Sequence, residues 1–178
     1  YNWKLYNNYT YDLMQCAVST SSTNGVGWWY MTDSQGDGTW TTFYKWINNA
    51  KEMTRLTEKL PEASKQPNYD AISLTLQSWL YQILTDAFGD VPMSEACSAD
   101  EGILAPKFDT QQQVYRQIID NLKTANELFD EANGLIYNQS GEMLYNTSKG
   151  DATGIKKWKK FCNSLRLRAL LRVIDVPE

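Results

Sequence analysis

Apolar residues recur along this chain at intervals of three and four positions, which is the spacing of amphipathic α-helices. The clearest case is the segment 69–88, "YDAISLTLQSWLYQILTDAF". Its apolar positions are Ile72, Leu76, Trp79, Leu80, Ile83 and Ala87. Strand-like alternation of apolar and polar residues never continues beyond a few positions, so the pattern predicts an all-α fold.

Four further helices follow from the same spacing, at about residues 3–18, 39–60, 110–132 and 155–174. Their predicted inner faces contain, in order, Tyr6, Tyr9, Leu13 and Cys16; then Trp40, Phe43, Ile47 and Ala50; then Val114, Ile118, Leu122, Ala125 and Phe129; then Trp158, Phe161, Cys162, Leu165, Ala169 and Val173. Cysteine on an apolar face behaves as a small hydrophobic residue, so Cys16 and Cys162 are expected to be buried.

Residues that favour helix ends support these boundaries. Asn68, directly after Pro67, is a candidate N-cap for the helix 69–88. Asp109 with Gln112 resembles a capping box, and Asn133-Gly134 is a stop signal. We expect the helices 69–88 and 110–132 to be antiparallel neighbours, with Trp79 buried against the second of them.

Long helices in succession are typical of stacked antiparallel pairs in an α-solenoid or repeat-like arrangement. No clear 34-residue repeat is visible, so periodicity alone does not establish tetratricopeptide units. Three long connections, 19–38, 89–108 and 133–154, stand out, and long loops in helical proteins often carry function. The 178 residues suit one domain or a piece of a longer protein, and the latter is expected.

The composition excludes several classes of function. The chain has no histidine, and its three cysteines are widely separated, so no metal site, disulfide framework or cofactor is expected. The net charge of −4 offers no general attraction to nucleic acid, and the basic segment 155–178 is interpreted as a solvated helix face.

Carboxylates are the remaining candidates for catalysis. Asp86 and Asp90 bracket a helix end in "TDAFGDVP", and Asp100-Glu101 follow. Glycoside hydrolysis needs two carboxylates at a defined separation across a cleft, which sequence proximity does not supply. Asp90 after Gly89 is interpreted as a turn residue that accepts hydrogen bonds from backbone amides. The chain is therefore predicted not to be an enzyme.

Aromatic residues are concentrated in and after the glycine-rich stretch "GVGWWYMTDSQGDGTW", residues 25–40. A sugar ring stacks its C–H face on aromatic rings and needs amide or carboxylate partners for its hydroxyls. The predicted ligand-binding residues are Asn24, Trp28, Trp29, Tyr30, Asp33 and Trp40. The alternative is that the loop tryptophans fold back onto the helices as packing residues.

Two motifs carry a resemblance to a known family: "LTDAFGDVPMSEA" at 84–96 and "KKWKKFCNSLRLRALLRVID" at 156–175. The segments "APKFDTQQQVY" at 105–115 and "WTTFYKWINNAKEM" at 40–53 fit the same pattern. Together they resemble the SusD/RagB proteins, surface glycan-binding lipoproteins of Bacteroidetes polysaccharide utilisation. Cys162 stands where that family more often has alanine.

The resemblance implies helices in tetratricopeptide-like, superhelical antiparallel pairs, and it implies that residues 1–178 are the N-terminal part of a longer protein. It also implies oligosaccharide binding at the cell surface and delivery to a SusC-like TonB-dependent transporter. The outer-membrane lipid anchor would lie outside this chain. Gly89, Asp90, Pro92, Trp158, Asn163 and Arg166 would be structural.

Two alternatives remain open. The helical pairs could be a scaffold that docks the transporter without binding ligand, or the protein could be a peptide-binding member of the family. Exposure of the loop tryptophans would distinguish the first alternative, and a comparison of oligosaccharides with oligopeptides would distinguish the second.

Overall fold

The computed structural model describes residues 14–16, 36–61, 67–135, 144–145 and 153–176. Within these ranges lie four α-helices: α1 (Asp37–Glu58), α2 (Pro67–Phe88), α3 (Gln111–Leu128) and α4 (Thr153–Val173). A 3-10 turn, Ala99–Glu101, lies between α2 and α3. In the same ranges the only extended pairing is an antiparallel bridge between Val91 and Asp109. The all-α fold is confirmed.

Contacts group the chain into two compact units, Tyr1–Trp46 and Ile47–Glu178, and the division falls within α1. The second unit contains most of the described helices. There α3 packs against both α2 and α4, and α2 also contacts α4. The predicted inner face of α3 is confirmed, because Val114, Ile118, Leu122, Ala125 and Phe129 are all buried.

The predicted face of α4 is largely confirmed as well. Trp158, Cys162, Leu165 and Ala169 are buried, whereas Phe161 and Val173 are half-buried. The Cys162 thiol donates a hydrogen bond to the Leu122 carbonyl oxygen at 3.3 Å, which places it at the interface between α3 and α4.

Helix α2 is buried more widely than its apolar stripe predicts. Thirteen of its residues are buried, seven of them polar: Asn68, Ser73, Thr75, Gln77, Ser78, Gln82 and Thr85. Ser73 accepts a hydrogen bond from Thr54 at 2.8 Å and donates one to the Ala50 carbonyl. The Thr57 hydroxyl donates to Asp70 at 2.7 Å. A second, polar face of α2 therefore packs against the part of α1 in this unit.

Trp79 is less buried than predicted. The ring is half-buried and meets Phe161 of α4 edge-on, with ring centroids 6.0 Å apart. The ring contact with α4 was not predicted, and the expected contact with the helix 110–132 stays a prediction. Since α4 comes much later in the chain, the periodicity of the α2 segment could not identify it as the partner.

The helix ends differ from the predicted caps. Thr110, not Asp109, caps α3, and its capping box uses Gln113. Asn68 lies inside the first turn of α2, where Pro67 is the first residue. Its side chain donates to the carbonyls of Asp130 and Asn133 and accepts from the Asp130 amide. It therefore ties the chain that leaves α3 to the start of α2.

Helix α3 also ends earlier than its stop signal, at Leu128 with Phe129 as the C-cap. The prediction for residues 3–18 was wrong where it can be compared. Met14–Cys16 form a turn with Gln15 at φ +57°, and Cys16 is exposed rather than buried. The rest of that segment lies outside the described residues.

The "GDVP" turn ends α2 and directs the chain toward α3. Gly89 has φ +76°, a left-handed conformation that side chains disfavour. The Gly89 amide donates a hydrogen bond to the Thr85 carbonyl at 2.9 Å, and the Thr85 hydroxyl donates one to the Gly89 carbonyl. Asp90 accepts the Gln111 amide at 2.8 Å, so it bonds a backbone amide as predicted, although that amide belongs to the start of α3.

A buried carboxylate holds the chain beyond this turn. Asp109 exchanges two backbone hydrogen bonds with Val91, both at 3.1 Å. Its side chain accepts the amides of Met93 and Ser94 at 2.9 and 2.7 Å, and the Ser94 hydroxyl at 2.9 Å. Burial acts to raise the pKa of Asp109, but the hydrogen bonds from Ser94 and Met93 outweigh it and hold the pKa below its ordinary value.

We expect Asp109→Ala to lower the free energy of unfolding by about 2–4 kcal/mol, because buried donors lose a charged acceptor. Asp120→Ala, at an exposed position of α3, is the matched control and should change it by less than about 0.5 kcal/mol. Urea unfolding followed by circular dichroism measures both. Equal stability of the two variants would contradict the role assigned to Asp109.

The same carboxylate predicts a pH dependence. Because folding lowers the pKa of Asp109, its contribution is complete at neutral pH and declines as the pH falls below about 4, the ordinary value. The stability difference between wild type and Asp109→Asn should therefore shrink on acidification. A difference that stays constant or grows below that pH would contradict the assignment.

Candidate functional site

The sequence-predicted binding residues fall mainly outside the described part of the chain. Asn24, Trp28, Trp29, Tyr30 and Asp33 all lie there, so their placement stays a prediction. Trp40 is described: it is half-buried in the first turn of α1, and its ring centroid lies 4.9 Å from that of Tyr44.

The junction between the glycine-rich stretch and α1 has a defined geometry. Gly36 has φ +90°, and its carbonyl accepts the Trp40 amide at 2.8 Å. Phe43 is fully buried and its ring contacts that of Trp46 at 5.2 Å. Trp40 and Phe43 thus lie on a helix that begins at Asp37, which fixes the rings at the end of the candidate loop.

The carboxylates near the "GDVP" turn are held in structural contacts. Asp86 accepts a hydrogen bond from the Tyr115 hydroxyl and forms an ion pair with Arg172 at 3.2 Å. Burial, together with the hydrogen bond to Asp86 and the negative charge of that carboxylate, raises the pKa of Tyr115 to about 12. These groups join the end of α2 to α3 and α4.

An open cavity of about 700 Å³ lies beside this cluster. Its polar lining includes Asp86, Gln111, Gln112, Tyr115, Arg116 and Arg172, and its apolar lining includes Ile119, Val173, Ile174 and Val176. Asp86 bonds both Tyr115 and Arg172, so these two opposite charges at the cavity are paired within the protein, while Arg116 adds a further positive charge to the lining.

A second cavity, of about 440 Å³, is lined by α2, α3, Lys51 of α1 and the loop after the "GDVP" turn. Its polar lining consists of Lys51, Gln77, Ser94, Asp109, Gln113, Gln117 and Asn121, and its apolar lining of Leu74, Tyr81, Met93 and Val114. Every one of these residues belongs to the second unit.

Sequence reasoning missed the amide groups of this cavity. Gln113, Gln117 and Asn121 recur every four residues on α3, so they share one helix face. The recurrence is visible in the sequence, but polar residues on a helix ordinarily indicate only a solvated face. It is the loop held by Asp109 that turns this face into the wall of a cavity.

The motif residues of α4 have mostly structural contacts. Trp158 is buried and meets Tyr145 edge-on, with ring centroids 5.3 Å apart. Asn163 donates to the Asn126 side-chain oxygen of α3 at 2.8 Å. The Nε of Arg166 is buried without a hydrogen-bonding partner among the described residues, and nothing in the structure explains it.

The C-terminal part of α4 and the residues after it also expose apolar side chains. Leu167, Leu170, Leu171 and Ile174 recur at helical spacing and are between 42% and 70% exposed. Across the described ranges, no helix is both long and apolar enough to cross a membrane.

A sequence model of a SusD-like family, described as starch-binding and associating with the outer membrane, matches residues 1–178. Comparison with curated protein sequences gives no significant match.

Three solved structures illustrate the similarity in fold. A chitin-binding protein shares 25% identity with a TM-score of 0.77, over 99% of this chain and 36% of its own. A SusD homologue from Bacteroides fragilis shares 25% identity with a TM-score of 0.59, over 76% and 27%. A SusD/RagB family protein from Bacteroides thetaiotaomicron shares 24% identity with a TM-score of 0.59, over 83% and 28%. The chain therefore spans between a quarter and two fifths of the length of these proteins.

The cluster of Asp86, Tyr115 and Arg172 yields a spectroscopic prediction. At about pH 11 most tyrosines of ordinary pKa, near 10, are ionised, whereas Tyr115 should remain largely protonated. Wild type and Tyr115→Phe should then show nearly equal tyrosinate absorbance, with circular dichroism confirming that both stay folded. An excess of one tyrosinate in the wild type would contradict the raised pKa that burial and Asp86 give Tyr115.

Proposed function

The chain belongs to the SusD-like family, and from this premise we propose that it binds oligosaccharides at the bacterial surface and delivers them to a SusC-like TonB-dependent transporter. The observation that carries the proposal is the family match along residues 1–178, in a family described as starch-binding. The structural similarity to a chitin-binding protein over 99% of the chain supports it.

The location follows from the same family. Its description associates members with the outer membrane, and the predicted outer-membrane association is confirmed at that level. We propose that the attachment is a lipid anchor outside this chain.

For the ligand, we propose the residues that the sequence singles out in the first unit: Asn24, Trp28, Trp29, Tyr30, Asp33 and Trp40. Support comes from the chemistry of the loop, where aromatic rings and polar side chains alternate with glycines. The helical position of Trp40, next to Tyr44, supplies a fixed aromatic surface where the loop meets α1.

Binding without catalysis is the second element of the proposal. The chain has no histidine. Asp86 bonds the phenol of Tyr115 and the guanidinium of Arg172. Asp109 and Asp90 accept hydrogen bonds from backbone amides. Carboxylates held in this way favour structure over proton transfer to a glycosidic oxygen.

We also propose that residues 1–178 are the N-terminal helical part of a longer protein. Helix α4 buries one apolar face and, in its last two turns, also exposes Leu167, Leu170 and Leu171. A helix that is apolar on two faces is typical of the interior of a stack, and end repeats normally carry a polar outer face. These properties favour further helices packing on α4.

Calorimetric titration tests the ligand site. Wild type, Trp28→Ala and Trp29→Ala would be titrated with malto- and chitin-oligosaccharides, which the family description and the chitin-binding protein suggest as first probes. Removing a stacking ring should raise Kd at least about tenfold, which corresponds to a loss of about 1.4 kcal/mol of binding free energy. Phe108→Ala, an exposed aromatic residue outside the loop, is the control and should bind as wild type.

The same titration separates the alternatives. Equal affinity in all variants, with folding intact, would identify the loop tryptophans as packing residues. Failure of every oligosaccharide to bind would favour the scaffold function, and selective binding of oligopeptides would favour a peptide-binding member.

A reducing-sugar assay tests the absence of catalysis. The purified protein, incubated with an oligosaccharide that it binds, should release no more product than a mock purification. Release that disappears in an Asp86→Asn or Asp90→Asn variant would show that the protein is an enzyme.

A further inference from the structure

The cavity of about 440 Å³ has a wall of neutral amide groups. Gln113, Gln117 and Asn121 stand on successive turns of α3 and span about 12 Å at about 1.5 Å per residue. Gln77 of α2 adds a fourth amide to the lining. The Gln113 oxygen already accepts hydrogen bonds from Thr110, and the Gln77 nitrogen already donates to Ser73. A ligand in this cavity therefore meets the remaining amide groups, above all those of Gln117 and Asn121.

The charged groups at the cavity are already held by the protein. Lys51 donates from its Nζ to the Ala96 carbonyl at 2.7 Å. Asp109 accepts three hydrogen bonds from Met93 and Ser94. Recognition consequently falls to the amides, which favours a neutral ligand over an ionic one.

One amide pair has unused bonding capacity. Gln117 donates from Nε2 to the Asn121 Oδ1 at 2.7 Å. Among the described residues, no hydrogen bond engages the Gln117 side-chain oxygen or the Asn121 side-chain nitrogen. An acceptor thus lies beside a donor, which matches two neighbouring hydroxyl groups, since each hydroxyl can donate and accept.

The remaining lining is apolar. Leu74, Tyr81, Met93 and Val114 face the same space, and the last three are buried. Apolar carbon surface next to neutral amides suits a ligand that has a C–H face and a rim of hydroxyls, as a sugar ring does. An ion or a purely apolar molecule would leave one half of the lining unmatched.

We propose that this cavity is a carbohydrate subsite, separate in residues from the loop of the first unit, and that the Gln117–Asn121 pair binds neighbouring hydroxyls of one sugar unit. The proposal rests on the proposed function for its ligand class. It uses only residues of the second unit, from Lys51 to Asn121, so it can be tested apart from the loop tryptophans.

The test follows the Met93 methyl group by NMR in protein labelled at its methionine methyls, with Met93→Leu to assign the signal. Maltotriose, chitotriose and a neutral tripeptide are the probes. The variants are Gln117→Ala/Asn121→Ala, the loop variant Trp28→Ala/Trp29→Ala and the control Gln112→Ala. Gln112 is an exposed amide of α3 that lines the other cavity.

A trisaccharide should shift the Met93 signal in the wild type, the loop variant and the control. The Gln117→Ala/Asn121→Ala variant should need at least tenfold more sugar for the same shift. A second result is that the wild type binds sugar, the loop variant does not, and the Met93 signal shifts in none of the proteins. That result would overturn the subsite while the proposed function stands.

If the Gln117→Ala/Asn121→Ala variant loses binding and the loop variant does not, the subsite is supported. The assignment of the loop residues to the ligand site would then be wrong. A shift of Met93 by the tripeptide alone, or by no probe, would overturn the subsite as a carbohydrate site.

Discussion

The buried carboxylate of Asp109 accepts hydrogen bonds from the backbone of Met93 and Ser94, and so holds the chain that leaves α2 against the chain that enters α3. The Val91–Asp109 bridge and the contact of Asp90 with the Gln111 amide act at the same place. At the opposite end of the pair, Asn68 bonds the segment after α3. Polar groups tie the two helices together at both ends. These contacts hold α2 and α3 as antiparallel neighbours in addition to the packing of their apolar faces.

The proposed subsite of the second unit depends on this pairing. With the loop after α2 held by Asp109, the amide face of α3 becomes the wall of a cavity instead of a solvated helix face. Helix α3 also packs against α4, whose last turns leave Leu167, Leu170 and Leu171 exposed. The candidate loop belongs to the first unit, and the cavity belongs to the second.

The helices were predictable because their apolar residues keep the helical period, and the buried face of α3 was confirmed at every position. The errors have physical causes. Asp109 and Asn68 have side chains suited to capping, but both bond backbone groups more than ten residues away, which local sequence cannot reveal. Trp79 contacts Phe161 for the same reason, because its partner lies in a distant helix. The assignment of the loop residues to a binding site rests on composition. Aromatic and polar residue types indicate a class of ligand but do not specify the geometry of a site.

The central claim is that this chain binds carbohydrate, and affinity electrophoresis tests it most directly. The protein would be run through native gels with and without soluble starch or a soluble chitin derivative, beside a reference protein that binds neither. We expect at least one polysaccharide to retard the protein relative to the reference, and free oligosaccharide of the same type in the gel to reverse the effect. Unchanged mobility across a broad panel of polysaccharides, with the protein folded, would show that the chain does not bind carbohydrate.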